Sequence, residues 1–190
     1  MLDKNPEQFL NDISNIIDEF SKNNPNIVLT YEPFLKSQFL IELMNLEDIS
    51  VIFLDFDLLY SGYVLSGMVH KNDSIEIYQV DKNNLNKIFS NVVKKISEKK
   101  HLIILDSFNG FYNLLPEIES GIFINAVIML FASVARQTGS RIVVTGMARK
   151  KENEGWVLLP GGRHILESKN SALYFIKSDD KSHLEFRKIS

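Results

Sequence analysis

The 190-residue sequence contains no cysteine, which excludes disulfide bonds and thiolate metal sites. Its four histidines are scattered through the chain and show no metal-ligand spacing. The longest apolar run, residues 122–135, includes Asn125 and is too short to span a membrane. The first residues are too polar for a secretory signal. These absences favour a cytoplasmic protein without a membrane anchor.

Positive charge is also scarce, since 21 Lys and Arg residues face 24 Asp and Glu residues and the net charge is -3. Non-specific DNA affinity comes largely from basic side chains that neutralise phosphates, so any contact with DNA must be local. Hydrophobic residues make up 45% of the chain, which is enough for a sizeable core. We expect an amphipathic helix within residues 1–24, followed by a core domain over residues 25–190.

Short apolar segments alternate with helical patterns along this core. The apolar segments predict five strands: 27–30, 51–55, 74–80, 101–106 and 142–145. The helical patterns predict three helices: 36–46, 83–98 and 120–138. Two alternating segments, 172–177 and 183–188, predict an antiparallel hairpin. The expected fold is a three-layer α/β fold, with a mostly parallel sheet, helices on both faces and a C-terminal antiparallel hairpin.

Polar residues stand where the predicted strands end, and parallel α/β sheets bind ligands beyond those ends. Lys36 and Ser37 open the helix after the first strand. Asp55 ends the second strand and Asp57 follows it, and Asp106 ends a later one. A lysine and a serine at such a helix start, with an aspartate at a later strand end, are what P-loop NTPases use to hold phosphates and magnesium.

From this point the sequence resembles the RecA/RadA recombinase family, most specifically in its distal half. Residues 135–145 (ARQTGSRIVVT) resemble the passage from helix to strand that precedes the family's second DNA-binding loop. Residues 159–163 (LPGGR), with Ile165 and Leu166, resemble the paired-glycine element that closes this loop, and residues 172–188 resemble the terminal hairpin. The resemblance implies a RecA-like core over most of the chain.

Two further segments align with residues of that family's catalytic site. Residues 102–107 (LIILDS) are similar to its Walker B strand and place Asp106 at the magnesium-organising position. Residues 53–57 (FLDFD) are similar to the strand that carries its catalytic glutamate, and Asp57 falls at that position. The resemblance therefore implies that Asp57 and Asp106 are the catalytic pair if the site is active, with Asp106 holding the metal.

The phosphate-binding loop departs from the family pattern. The positions that should read Gly-x-x-x-x-Gly-Lys-Ser/Thr read TYEPFLKS over residues 30–37, so both glycines are missing. Glycine lets the backbone amides approach a phosphate, whereas Pro33 has no amide donor and Glu32 adds negative charge. Gly146 and Met147 stand where the family has a nucleotide-sensing asparagine and glutamine. These losses predict a protein without a nucleotide cofactor, in which Lys36 and Ser37 are ordinary capping or surface residues.

A basic run lies where the resemblance places a DNA-binding loop. Arg149, Lys150 and Lys151 precede Trp156, and Arg163 follows. Basic side chains beside a tryptophan suit phosphate contacts and base stacking. The alternative is a solvated loop whose tryptophan packs on the core.

Three functional hypotheses follow from the sequence. The first is a non-hydrolysing RecA/RadA-like paralogue that acts as an accessory factor in DNA recombination and repair. It would associate with a recombinase or another RecA-like subunit, in a homo- or hetero-oligomer, and would bind single-stranded DNA weakly. The second is an atypical ATPase in which Lys36, Ser37, Asp57 and Asp106 hold Mg-ATP. The third is a scaffold subunit without DNA contact.

Overall fold

The structure is a computed structural model that describes residues 16–17, 19–20, 25–46, 49–70, 72–115, 120–152, 155–159, 171–178 and 184–189. The strands in these ranges are β1 (Asn26–Thr30), β2 (Val51–Asp55), β3 (Ile75–Gln79), β4 (Leu102–Asp106), β5 (Arg141–Lys151), β6 (Gly155–Leu158), β7 (Ala172–Ser178) and β8 (Leu184–Lys188). The helices are α1 (Pro33–Leu46), α2 (Leu59–Leu65), α3 (Leu85–Glu98), α4 (Phe108–Leu114) and α5 (Ser120–Thr138).

The strands form one sheet in the order β3-β2-β4-β5-β1-β7-β8, and β6 pairs with the far end of β5. Neighbours from β3 to β7 run parallel, whereas β7 with β8 and β5 with β6 are antiparallel. Every residue of β1, β2 and β4 is buried, as expected of parallel strands that are covered on both faces. The predicted fold class is confirmed.

The sheet separates two apolar cores, because successive side chains of a strand point to opposite faces. Leu54 of β2 faces the first core, where Phe89 of α3 and Phe131 of α5 meet edge to face with ring centroids 5.5 Å apart. Phe53 of the same strand faces the second core, with Phe39 of α1. Burial of each such side chain contributes about 1.5–3 kcal/mol. Helices on both faces complete the three layers.

Three features differ from the sequence-based expectation. Helix α1 begins at Pro33 rather than at Lys36, because proline suits the first helical position, where its missing amide would have no partner anyway. Strand β5 continues to Lys151 as the first arm of a hairpin with β6. The helices α2 and α4 were not predicted, since seven residues are too few to show a helical period.

Most of the predicted N-terminal helix lies outside the described residues. Residues 16–17 and 19–20 are helical, and Ile16 and Phe20 are buried in the second core. The ring of Phe20 lies 5.3 Å from that of Tyr174 on β7. This part of the apolar face therefore covers the protein's own sheet.

Helix α5 is long and apolar enough to span a membrane by length and composition. However, Ile124, Phe131 and Ala135 on this helix are completely buried in the first core. Gly139 follows the helix with a φ of +70°, the left-handed conformation that is common just after a helix C-terminus. The helix is therefore a core element of this fold.

Candidate functional site at the carboxyl edge of the sheet

The parallel register brings the ends of three strands to one edge. Asp55 at the end of β2 pairs with Asp106 at the end of β4, and β5 lies directly beside β4. Helix α1 starts two residues after β1, on the other side of β5. Lys36 in the first turns of α1 therefore lies over the ends of β2 and β4.

Lys36 is only 3% exposed, and its ammonium lies between two carboxylates. The Nζ atom is 2.6 Å from Oδ1 of Asp106 and 2.8 Å from Oδ2 of Asp57. Asp106 is also buried, whereas the Asp57 side chain is 25% exposed. The lysine that was predicted to be a surface or capping residue is thus the centre of a buried ion-pair network.

Two hydroxyl groups complete this network. Thr145 of β5 donates its hydroxyl to Oδ1 of Asp106, and Ser107 donates its hydroxyl to Oδ2 of Asp57 at 2.7 Å. The Ser107 hydroxyl oxygen also accepts from the amide of Gly110 and so caps α4. The peptide bond between Asp106 and Ser107 is cis. We call Lys36, Asp57, Asp106, Ser107 and Thr145 the Lys36 cluster.

The electrostatics of the cluster follow from burial and charge pairing. Burial lowers the pKa of Lys36, but the carboxylates of Asp106 and Asp57 outweigh it, so this pKa lies above its ordinary value. Burial raises the pKa of Asp106, against the opposing effects of the Lys36 ammonium and the Thr145 hydrogen bond. Lys36 therefore stays protonated at neutral pH, and its ammonium is the counter-charge for the buried Asp106 and the partly exposed Asp57.

The remaining strand-end aspartate, Asp55, has a different role. It is completely buried, and its Oδ2 accepts hydrogen bonds from the amide and the hydroxyl of Ser61, at 2.7 and 2.6 Å. These bonds attach α2 to the end of β2. Asp55 is therefore a structural residue rather than part of the Lys36 cluster.

Asn109 on α4 also contributes to this edge, although no sequence pattern indicated it. Its Oδ1 accepts from the amide of Met147 at 2.8 Å, and its Nδ2 donates to the carbonyl groups of Met147 and Leu159. Asn109 thus joins α4 to the continuation of β5 and to the end of β6. Asn-Gly is more often a turn signal, which hides such a role in the sequence.

Gly110, the next residue of α4, permits the close approach of Asp57. A Cβ at this position would lie 2.3 Å from Oδ1 of Asp57 and 2.8 Å from the carbonyl carbon of Phe56. Neither the backbone nor the ion-paired carboxylate can move without cost. The absence of a side chain at Gly110 is therefore a condition for the geometry of the Lys36 cluster.

The connection between β1 and α1 is only two residues long, Tyr31 and Glu32. The amide of Glu32 donates to Oγ1 of Thr30 at 3.0 Å, and its carbonyl accepts from the amide of Lys36 at 3.1 Å. The Glu32 carboxylate accepts from the amide of Ser178 on β7 at 3.0 Å. This connection is thus a tight turn that is fastened to the neighbouring strand.

Comparison with known proteins finds similarity to solved structures. The fold is similar to a solved structure described as the RadB recombinase, with a TM-score of 0.56 and 13% sequence identity, over 86% of this chain and 87% of that chain. The chain has a RecA-like fold. No family model matches the sequence, and no curated protein matches it significantly. At this identity the similarity shows the fold alone.

The structure places the predicted nucleotide-site residues in two groups. Lys36, Asp57 and Asp106 are in direct contact. Ser37 points elsewhere and donates its hydroxyl to the carbonyl of Pro33 at 3.3 Å. In the part of the chain that the structure describes, no group of three or more histidine or acidic residues could hold a metal ion. The role of these residues toward a nucleotide remains a prediction.

The basic run is not the loop that was expected. Arg149, Lys150 and Lys151 belong to β5, and Trp156 belongs to β6. Lys150 lies opposite Trp156, whereas Arg149 lies opposite the buried Val157 and so occupies the other face of the hairpin. The β5–β6 hairpin forms through backbone pairing of its two strands. The polar sequence of residues 149–151 does not indicate this pairing. Arg163 lies outside the described residues.

We expect replacement of Lys36 by Met to lower the free energy of unfolding by about 3–5 kcal/mol at neutral pH, since Asp106 would stay buried without its counter-charge. Loss of the ammonium would raise the pKa of Asp106 further. The folded variant would then bind a proton at a higher pH than the wild type does, so its deficit should shrink as the pH falls. Urea denaturation at neutral and at mildly acidic pH measures both effects.

The matched control for Lys36→Met is Ser37→Ala, which changes the next residue of α1 without touching the ion pairs and should be nearly neutral. The double variant Lys36→Met/Asp106→Asn removes both charges and should recover part of the loss. A deficit below about 1 kcal/mol for Lys36→Met would contradict a buried ion pair at this position.

Replacement of Gly110 by Ala should cost about 1–3 kcal/mol, because the added methyl group meets backbone and a fixed carboxylate. Gly62 in α2 is a matched control, since a Cβ there would have no heavy atom within 4 Å. The variant Gly62→Ala should be neutral or stabilising by up to about 1 kcal/mol. Thermal unfolding of the two variants tests this, and equal melting temperatures would refute the role given to Gly110.

Proposed function

We propose that this protein is a non-hydrolysing RecA-like accessory or regulatory factor in DNA recombination and repair. It acts through association with a recombinase or another RecA-like subunit, and through weak binding of single-stranded DNA. The observation that carries the loss of hydrolysis is the Lys36 cluster, in which the lysine expected to bind phosphate is buried between Asp57 and Asp106.

The cluster opposes an incoming triphosphate in two ways. A phosphate oxygen could reach the ammonium of Lys36 only if it displaced contacts of 2.6 and 2.8 Å. The displaced carboxylates of Asp106 and Asp57 would then repel the phosphate at short range, and Asp106 would keep its desolvation cost without a partner. Nucleotide binding would therefore need a rearrangement at the centre of the edge.

The turn after β1 also lacks what a phosphate-binding loop provides. Such a loop presents several backbone amides to the phosphates. Here Pro33 has no amide, the amide of Glu32 is bound to Thr30, and the amide of Lys36 is bound to the carbonyl of Glu32. The carboxylate of Glu32 adds a negative charge beside the start of α1. These features support a degenerate phosphate loop and a protein without a nucleotide cofactor.

Two observations support a role in recombination. The fold is similar to that of the RadB recombinase. The segments 135–145 and 159–163 resemble those around the second DNA-binding loop of the RecA/RadA family. A protein with this fold and without hydrolysis would act by occupying a subunit position in an assembly, or by capping one.

The alternative function is an atypical Mg-dependent ATPase. One observation favours it: Lys36, Asp57 and Asp106 do meet at the carboxyl edge of the parallel strands, where α/β proteins bind ligands. In that case Asp106 would hold the metal ion and Asp57 would orient the attacking water. Lys36 would have to leave both carboxylates when the nucleotide entered.

Calorimetric titration with Mg-ATP and with a slowly hydrolysed analogue separates the two functions. We expect a dissociation constant no lower than about 1 mM, because tighter binding would have to offset the free energy lost when both ion pairs of Lys36 break. The variant Asp106→Asn is the control, because it keeps the contact between Lys36 and Asp57. Micromolar, magnesium-dependent binding that Asp106→Asn weakens would restore the ATPase.

Association is tested by sedimentation velocity with a RecA-family recombinase from the same organism, with and without single-stranded DNA. We expect a faster-sedimenting complex and a changed rate of ATP hydrolysis by the recombinase. The recombinase mixed with an unrelated soluble protein of similar mass is the control. A stable homo-oligomer that binds neither recombinase nor DNA would favour the scaffold hypothesis instead.

A further inference from the structure

Two antiparallel hairpins extend past the end of β1 at the carboxyl edge of the sheet. Residues 148–151 of β5 pair with β6, and residues 176–178 of β7 run beyond the last residue that pairs with β1 and pair with β8. A groove of about 380 Å³ lies between β6 and the β7–β8 hairpin. We call it the hairpin groove.

The strand register determines which side chains line the hairpin groove. Lys150 lies opposite Trp156, and Phe175 lies opposite Arg187, so each pair shares a face. Trp156 and Phe175 meet across the two hairpins, with ring centroids 4.8 Å apart and an angle of 34° between their planes. At this distance and angle the two partly buried rings lie largely face to face, and both pack on the first core. This ring pair is the aromatic floor of the groove, and an exposed cation lies on each side of it.

The aromatic surface continues past the groove. The ring of Tyr31, in the turn after β1, lies 5.6 Å from that of Phe175 and is 49% exposed. Tyr31, Phe175 and Trp156 therefore form a row of three rings along the edge of the sheet. A flat base can pack on such a surface, and base stacking on aromatic side chains is tolerant of sequence.

The charge of the hairpin groove is opposite to that of the whole chain. Four cationic side chains line it against a single carboxylate, that of Glu185, which is paired with Lys177 at 2.7 Å. The net charge of the protein is -3. The carboxylate of Glu32 accepts from the amide of Ser178 on β7. The groove is a local site of excess positive charge.

We propose that the hairpin groove binds single-stranded nucleic acid. The bases pack on Trp156 and Phe175, and the phosphates lie at Lys150 and Arg187. An acidic peptide would match the charge but would leave the aromatic floor without a flat partner, so the combination favours a nucleic acid. Single strands are required because paired bases are already stacked within a duplex.

This inference deepens the proposed single-strand binding and rests on it. It also assigns only part of the basic run to the site, because Lys150 faces the groove while Arg149 lies on the opposite face of the β5–β6 hairpin. The site gains Phe175 and Arg187, which come from the β7–β8 hairpin and were not candidates from sequence.

Trp156 is the only tryptophan in the chain, so its fluorescence reports on the groove directly. We would titrate the full chain with an oligothymidylate of about 15 nucleotides at about 20 mM salt. Anisotropy of a fluorescein-labelled copy of the oligonucleotide gives the affinity in parallel. The expected result is quenching of Trp156 that saturates at the same concentration as the anisotropy.

Arg187→Ala and Lys150→Ala should each weaken binding and lower the slope of log affinity against log salt by about 0.7. The matched control is Lys87→Ala, which removes one exposed lysine from α3, on the part of the sheet away from the hairpins. This control should leave both the affinity and the salt slope unchanged.

Oligonucleotide binding without Trp156 quenching, and with equal affinity for Arg187→Ala and Lys87→Ala, would place the DNA elsewhere. That result overturns the hairpin groove but leaves the proposed function intact. Absence of oligonucleotide binding overturns the groove together with the single-strand part of the function, and the association experiment then stands alone. Oligoglutamate that quenches Trp156 and competes equally well would overturn the assignment to nucleic acid.

Discussion

The contact of Lys36 with Asp57 and Asp106 is the constraint on which the carboxyl edge of this fold depends. A buried ammonium needs partners, because an unpaired charge in the interior costs several kcal/mol. The ion pairs of the Lys36 ammonium fix α1 relative to the ends of β2 and β4. Ser107 and Thr145 then bind the same two carboxylates and bring the cap of α4 and the strand β5 into the arrangement. The contacts centred on Lys36 thus connect five elements: α1, β2, β4, α4 and β5.

The same contact explains how a RecA-like fold can persist without a bound nucleotide. In a phosphate-binding protein the anionic ligand supplies the counter-charge for the lysine. Here the protein's own carboxylates, Asp57 and Asp106, supply it. The ammonium of Lys36 is therefore paired without a ligand, which agrees with the proposed absence of a nucleotide and with the lack of glycine between Thr30 and Lys36.

Sequence patterns predicted the strands and helices whose own residues show which face is buried. They did not predict the elements that exist only because a distant segment pairs with them. The uniformly apolar strands and the long helix α5 were found because each carries its own pattern. The extension of β5 through Arg149 and Lys150 has no such pattern and exists because β6 pairs with it. Likewise, a lysine at a helix start is usually exposed. Lys36 is buried because the fold brings Asp57 and Asp106, which are distant in sequence, into contact with it.

The turn after β1 connects the Lys36 cluster with the hairpin groove. Glu32 bonds to the Lys36 amide through its carbonyl and to Ser178 through its carboxylate, while Tyr31 places its ring beside Phe175. A glycine-rich loop at these positions would supply neither the carboxylate nor the ring. The residues that make this turn unsuited to phosphate are thus the ones that fasten β7 and extend the aromatic floor of the hairpin groove. The residues of this turn thus contribute both to the proposed loss of phosphate binding and to the proposed groove.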